Sequence, residues 1–152
     1  MVDINIFMSY KGRFRAVNPQ KYKGDPSNIV YRSRWELKLM GHLDAHPDVL
    51  QWSSEEVVIP YRSPIDGRIH RYFVDFYVKK KTSQGIEEVL IEVKPKAQTA
   101  PPQARTGKPT RRYINEVHTW GINEAKWNAA KDYCMSRGWK FVIMTEHELG
   151  IK

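Results

Sequence analysis

The sequence predicts an α/β domain built on a mixed four-stranded sheet flanked by helices, with its elements in the order αβββαβ. Three observations carry that expectation. Residues 33–45 show a capped helical stripe, and residues 54–60, 72–78 and 88–93 alternate at the period of strands with short connections between them. A long helical pattern then leads to an apolar run at 140–145. Short connections join antiparallel neighbours, whereas a helical crossover returns the chain in parallel, so the last strand adds one parallel partner to three antiparallel ones.

The first thirty residues mix cations and rings without a period: Lys11, Arg13 and Arg15 around Phe14, then Lys21 and Lys23 around Tyr22. Residues 1–30 read as a basic arm, either laid along a phosphate backbone or pinned to the domain by Tyr10, Phe14 and Tyr22. Residues 31–152 form a single domain. In its first helix Ser33 is the N-cap, Glu36 stands where a capping box needs it, and Pro47 stops the helix near Ala45. Glu36 shares a stripe with Leu39, Met40 and Leu43, which turns it toward the core side. Two roles compete for it: closing the capping box, or reaching a cluster of acids further along the chain. A carboxylate beside an apolar face needs some partner to offset its desolvation.

In 54–60, Val57 and Ile59 share one face, Glu56 lies on the other, either solvated or supporting the cluster of acids from behind, and Pro60 marks an edge. Pro64 and Asp66-Gly67 supply a turn into Arg68-Ile69-His70-Arg71 and the second strand. After the third strand, residues 95–110 carry four prolines with Lys96, Arg105 and Lys108, and no apolar period. Such a segment cannot build core; a flap or DNA-contacting arm that orders on binding is expected, against a passive loop. The helical pattern resumes at Arg111-Arg112 and is firm by Asn123. Trp127, Ala130 and Cys134 share its buried stripe, and Arg137-Gly138 ends it. Lys126 and Lys131 lie off that stripe as solvated charge or phosphate contacts. Thr145 caps a last short helix at 146–149.

Residues 72–78 and 88–93 also bring charges together. Val89, Ile91 and Val93 fall on one side, leaving Leu90, Glu92 and Lys94 on the other. A four-residue loop, Thr82-Ser83-Gln84-Gly85, pairs Lys81 with Ile86, and the same register carried along sets Asp75 opposite Glu92. Opposed residues of an antiparallel pair have Cβ atoms roughly 4.5–5.5 Å apart, so two carboxylates would face each other with a lysine beside them. Like charges so placed repel. A divalent metal bound by hard oxygens is the natural counter-charge.

Bulk properties narrow the class. The 152 residues are 41% hydrophobic and 12% aromatic, enough for a folded core, and the formal net charge of +8 suits a polyanion such as nucleic acid. No apolar run is long enough to span a bilayer, and the first residues lack the form of a signal peptide, so a soluble intracellular protein is expected. One cysteine, Cys134, excludes an internal disulfide and a Cys-based zinc site. The five histidines show no ligand spacing; His70, beside the Asp75 strand, is the one placed to act.

The Asp75, spacer, Glu92-Val93-Lys94 arrangement resembles that of the PD-(D/E)xK nuclease superfamily, whose core is restriction-endonuclease-like. Over nearly the whole domain the wording is similar to the head-completion nucleases of T-even-type bacteriophages. The likeness rests on Lys21-Tyr22-Lys23-Gly24, Tyr31-Arg32-Ser33-Arg34-Trp35-Glu36, Trp52-Ser53-Ser54-Glu55-Glu56, residues 70–77, Glu92-Val93-Lys94-Pro95-Lys96 and Thr145-Glu146-His147-Glu148-Leu149. The layout is also similar to the endonuclease subunit of TnsA-type transposases. These resemblances imply a Mg²⁺-dependent deoxyribonuclease, with Mn²⁺ able to substitute, that cuts or trims packaged DNA before head and tail join. Glu36, Asp75, Glu92 and Lys94 carry over as catalytic residues, with Glu36, Asp75, Glu92 and the Val93 carbonyl around the metal. Val74 stands where the superfamily's name has proline. The implied partners are double-stranded DNA and head or neck proteins, in the host cytoplasm during assembly and in the virion afterwards. DNA contacts are expected from Lys11, Arg13, Arg15, Lys21, Lys23, His70, Lys96, Arg105, Lys108, Arg111 and Arg112. Two rival readings are a structural neck plug that binds DNA ends, and a transposase endonuclease subunit.

Overall fold

A computed structural model of the chain describes residues 11–151. Its strands are β1 (Gly12–Phe14), β2 (Ile29–Tyr31), β3 (Val49–Ser54), β4 (Val58–Arg62), β5 (Ile69–Phe73), β6 (Phe76–Thr82), β7 (Gly85–Val93) and β8 (Lys140–Met144). The helices α1 (Arg34–Ala45) and α2 (Arg111–Arg137) flank them. The central sheet has the order β3-β6-β7-β8, and only the β7–β8 pair is parallel. This is the mixed four-stranded sheet that periodicity predicts, with α2 as the crossover. Val89, Ile91 and Val93 pack toward Leu39 and Met40 of α1, while Leu90 faces Trp127, Ala130 and Cys134 of α2.

The β6–β7 hairpin keeps the expected register, pairing Lys81 with Ile86 and Phe76 with Ile91. Its loop is shorter than expected. Thr82 pairs with Gly85, so Ser83 and Gln84 alone make the turn, and Gly85 at φ 120° takes a conformation that a side chain would strain.

Two strands expected to be continuous are broken, at one level. Glu55 takes φ 56°, a left-handed value uncommon for a residue with a side chain, and Val74-Asp75 leave the ladder across from it. Pairing nevertheless turns this corner: the Glu55 amide donates to the Asp75 carbonyl at 3.1 Å and the Val74 amide to that of Val57 at 3.0 Å. Beyond the corner β4 and β5 form a separate two-stranded ribbon, joined by the expected turn at Ser63 to Gly67. The first strand of the central sheet is therefore 49–54 rather than 54–60, and the ribbon is an addition to the αβββαβ order. The bend lays Ile59, Tyr61 and Tyr72 against Trp127 of α2, burying apolar surface.

Residues 11–31 pack against the rest of the domain, the pinned arrangement weighed for the basic arm. β1 pairs with β2, and Phe14 and Tyr22 meet the Trp52 ring edge-on at 5.8 and 4.8 Å between centroids. The Tyr10 part of that expectation lies outside the described residues. Asp44, 3% exposed, accepts the Val17 amide at 2.8 Å and the Asn18 amide at 3.1 Å. Removing a buried acceptor leaves the amides that donate to it unsatisfied. Asp44→Ala is expected to lower stability by about 3 kcal/mol, read from the midpoint of urea unfolding.

At the far end, Thr145 caps a turn through its bonds to Glu148, and Leu149 is buried. The short helix expected at 146–149 is this capped turn: the Leu149 amide donates to the Thr145 carbonyl at 3.2 Å, and the Gly150 and Ile151 amides close it onto the His147 and Glu146 carbonyls at 3.2 and 2.8 Å instead of extending a helix. No helix among the described residues is long and apolar enough to cross a membrane.

Candidate active site

The corner and the hairpin together place the acids. Asp75 sits in the break just before β6, and its Oδ2 accepts the Val93 amide of β7 at 2.8 Å. That bond holds the carboxylate beside Glu92, as the register predicts. Burial pushes the Asp75 carboxyl well above the ordinary carboxylate range, the charge of Glu92 adds to the effect, and the Val93 amide opposes it. Glu92 is 6% exposed and its two oxygens are held differently. Tyr72, on the inner face of β5, donates its hydroxyl to Oε2, while Oε1 faces the Lys94 ammonium at 3.6 Å. The Lys94 amide in turn donates to the Met144 carbonyl at 2.9 Å, tying its backbone to the end of β8.

Glu36 occupies the first turn of α1 and does both things the sequence allows, in unequal measure. Its amide donates to Ser33 Oγ at 3.1 Å and the Ser33 hydroxyl donates to its Oε2 at 3.3 Å, so the cap is formed. Burial first, and the charge of Glu55 second, push its carboxyl up to about 7, and its own charge contributes to the upward shift of Asp75. Glu36 is thus in electrostatic reach of the pair without joining it. Among the described residues no three His, Cys, Asp or Glu side chains stand close enough together to hold an ion. The donor set still suits a small hard cation in kind. Two buried, mutually repelling carboxylates and the Val93 carbonyl are oxygen ligands, and a divalent charge relieves the repulsion that raises Asp75.

The expected DNA contacts fall into groups. Lys11, Arg13 and Arg15 alternate with half-buried neighbours and all three are exposed. Lys21 is otherwise engaged: its ammonium donates to the carbonyls of Asp44 and His46 at 2.9 and 2.8 Å, where the helix end carries partial negative charge. His70 is also diverted, since the turn chemistry that brings Asp66 within 2.8 Å of its Nε2 makes it a partner of the ribbon tip. The Lys23 ammonium lies over the Tyr77 ring at 4.8 Å. Lys96, Arg105, Lys108, Arg111 and Arg112 are exposed; the loop they border is anchored by the Lys96 amide on Glu146 Oε1 at 2.7 Å. Arg112 pairs with Glu116 at 3.2 Å.

Sequence reasoning missed Tyr72 and Glu55. Tyr72 reads as one more aromatic strand residue, and its signal is chemical: a buried carboxylate at Glu92 requires a donor nearby. Glu55, not Glu56, faces Glu36, and its carboxylate is held by the Arg32 guanidinium at 3.0 and 3.2 Å.

Residues 46–146 match the family described as TnsA-like endonuclease N terminal. The chain belongs to the TnsA-like endonuclease family. The match contains Tyr72, Asp75, Glu92 and Lys94 and begins after Glu36. This TnsA-like chain is also 41% identical over 145 residues to the head completion nuclease of Enterobacteria phage T4, covering 93% of this chain and 95% of that one. With Tyr72 as a tether on Glu92, Tyr72→Phe is expected to leave folding intact and slow DNA cleavage by roughly tenfold, about the 1.4 kcal/mol of one hydrogen bond. Initial rates at saturating DNA check it.

Proposed function

We propose that this protein is a metal-dependent deoxyribonuclease of phage head completion, cutting or trimming packaged DNA in the host cytoplasm so that a filled head accepts its tail. The observation that carries this reading is the buried Asp75–Glu92 pair with Lys94 at its edge, in a chain of the TnsA-like endonuclease family. The similarity to the phage T4 head completion nuclease over nearly the whole chain supports the stage at which it acts.

Mg²⁺, with Mn²⁺ able to replace it, is the expected ion; Asp75, Glu92 and the Val93 carbonyl would hold it, and Glu36, in electrostatic reach of that pair, would have to move toward it to act as the third acid. Bound there, it supplies an acidified water and neutralises charge on the phosphoryl oxygens. The chain's own part is orientation and charge. The Val93 amide fixes one Asp75 oxygen, and Tyr72 and Lys94 each engage one Glu92 oxygen, so neither carboxylate must be ordered at the moment of reaction. The Lys94 side chain, 25% exposed, presents its ammonium both to Glu92 and to solvent, where a phosphoryl oxygen meets it and its growing charge is offset.

Plasmid nicking by the wild type, Asp75→Ala and Lys94→Ala, each with Mg²⁺ and with chelator, tests the assignment. The wild type cuts only with the ion and the variants do not cut. Equal degradation by all three proteins overturns the site. Uncut DNA from variants that nevertheless complete heads would assign the protein's essential role to a neck plug instead.

A further inference from the structure

The helix α2 passes the candidate site and continues beyond it. β7 and β8 run in parallel, Val89 opposite Lys140 and Val93 opposite Met144, and α2 returns between them with its end at Arg137 near the Val89 level. The four steps along the strand from Val89 to Val93 rise about 13 Å, which about nine helical residues match, so the helix reaches the Val93 level near Asn128. The residues before that pass the end of the central sheet, lie over the β4–β5 ribbon as far as Trp120, and extend beyond it. Burial agrees: Asn123, Trp127, Ala130 and Cys134 are the buried residues of α2, whereas Ile114 and Val117 are 43% and 41% exposed.

Lys126 is the cation of α2 at the level of the site. Its ammonium lies 5.5 Å from the centroid of the Tyr72 ring and 5.8 Å from that of Tyr61, and the hydroxyl of that same Tyr72 is on Glu92. No carboxylate lies within ion-pair distance of it among the described residues, where Lys80, Lys94 and Lys140 each have one. It is half-buried, with its stem over aromatic faces and its charge unneutralised, one ring away from an acid of the site. Steps of four and three residues toward the N-terminus place Ile122, Thr119, Asn115 and Arg111 on its stripe. That stripe carries no acid and, apart from Ile122, only hydrogen-bond donors suited to phosphate oxygens.

We propose that Lys126 binds a backbone phosphate of the DNA strand held at Glu92, and that Thr119, Asn115 and Arg111 carry the same backbone outward along α2. The proposal rests on the nuclease reading above and adds where the strand runs. The two tyrosine rings position the ammonium, and phosphate replaces the carboxylate that Lys126 lacks.

The test is binding of a short mixed-sequence duplex to the full chain, followed by fluorescence anisotropy over a series of salt concentrations in Ca²⁺, with cleavage in Mg²⁺ measured in parallel. Lys126→Met keeps a stem over the rings and removes the charge; Lys126→Arg keeps the charge. The methionine variant is expected to melt like the wild type, bind roughly five- to tenfold more weakly at low salt and lose about 0.9 from the slope of log affinity against log salt, the value of one phosphate contact. The arginine variant restores both. Unchanged affinity and slope in Lys126→Met overturn the subsite while Asp75→Ala still decides the nuclease reading. Lost cleavage with unchanged binding also overturns it, by moving Lys126 into the chemistry. A wild type that neither binds nor cuts the duplex removes the function itself.

Discussion

Asp75→Asn is expected to abolish DNA cleavage, by at least about a thousandfold in kcat/KM, while giving a protein that is no less stable than the wild type above neutral pH. A thousandfold is about 4 kcal/mol of lost transition-state stabilisation, appropriate for a residue that faces Glu92 and is proposed to hold the ion with it. The stability half follows from the same electrostatics. Burial and the charge of Glu92 hold the Asp75 carboxyl well above its ordinary range, so the folded chain binds a proton that the unfolded chain has released. Stability contributed by that group is present below the ordinary carboxylate pKa and is lost as pH rises. An amide of the same shape has no charge to bury and can still accept the Val93 amide. Cleavage assays and thermal melts in chelator at pH 8, on the same preparations, check both halves; a variant that is inactive because it is unfolded contradicts the reading.

Glu36→Gln is expected to show the same opposition in a defined pH window. The Glu36 carboxyl is pushed up to about 7 from an ordinary value of 4.5, by burial first and by Glu55 second. Between those two pH values the unfolded chain has given up the proton and the folded chain retains it, so wild-type stability falls across the window and levels off above it. Glutamine keeps the capping-box geometry with Ser33 and removes the titration. In chelator the variant should match the wild type near pH 4 and exceed it by roughly 2 kcal/mol at pH 8, a figure discounted for the partial exposure of Glu36. If Glu36 is the third acid of the metal set, cleavage falls by at least about a hundredfold in the same variant. Urea unfolding at a series of pH values settles the first expectation, and parallel curves for the two proteins would refute it. Surplus stability in a variant that loses activity is the usual mark of a site maintained at the cost of the fold.

Much of this was legible in the sequence because it depended on period and register alone. Alternation in 88–93 set Leu90 and Glu92 on the face opposite Val89, Ile91 and Val93, which the structure covers with α2, and turn chemistry fixed a hairpin register that the β6–β7 ladder keeps. Caps were equally visible: Ser33 and Gly138 close their helices by local chemistry, while the Thr110 cap of α2 emerges only in the structure. What escaped was long-range. The corner at Glu55 and Asp75 is made by two strands bending together over α2, and no glycine or proline stands at the bend itself, in 54–57 or 73–76. The role of Lys21 at the end of α1, and the pinning of residues 11–31 by Asp44, likewise join segments more than twenty positions apart. Glu36 was ambiguous in the sequence for a sound reason, since in the structure it caps its helix and also raises Asp75.

The two acids stand on β6 and β7 or at their ends, and these are the interior strands of the sheet, each flanked on both sides by a hydrogen-bonded neighbour. Opening such strands requires nearly the full free energy of unfolding, whereas fraying ends and surface turns open at little cost. Catalytic competence and the integrity of the core are therefore lost together. Heat inactivation should track the cooperative melting of the whole domain, with no warmer-than-native state in which a folded but disarmed enzyme accumulates.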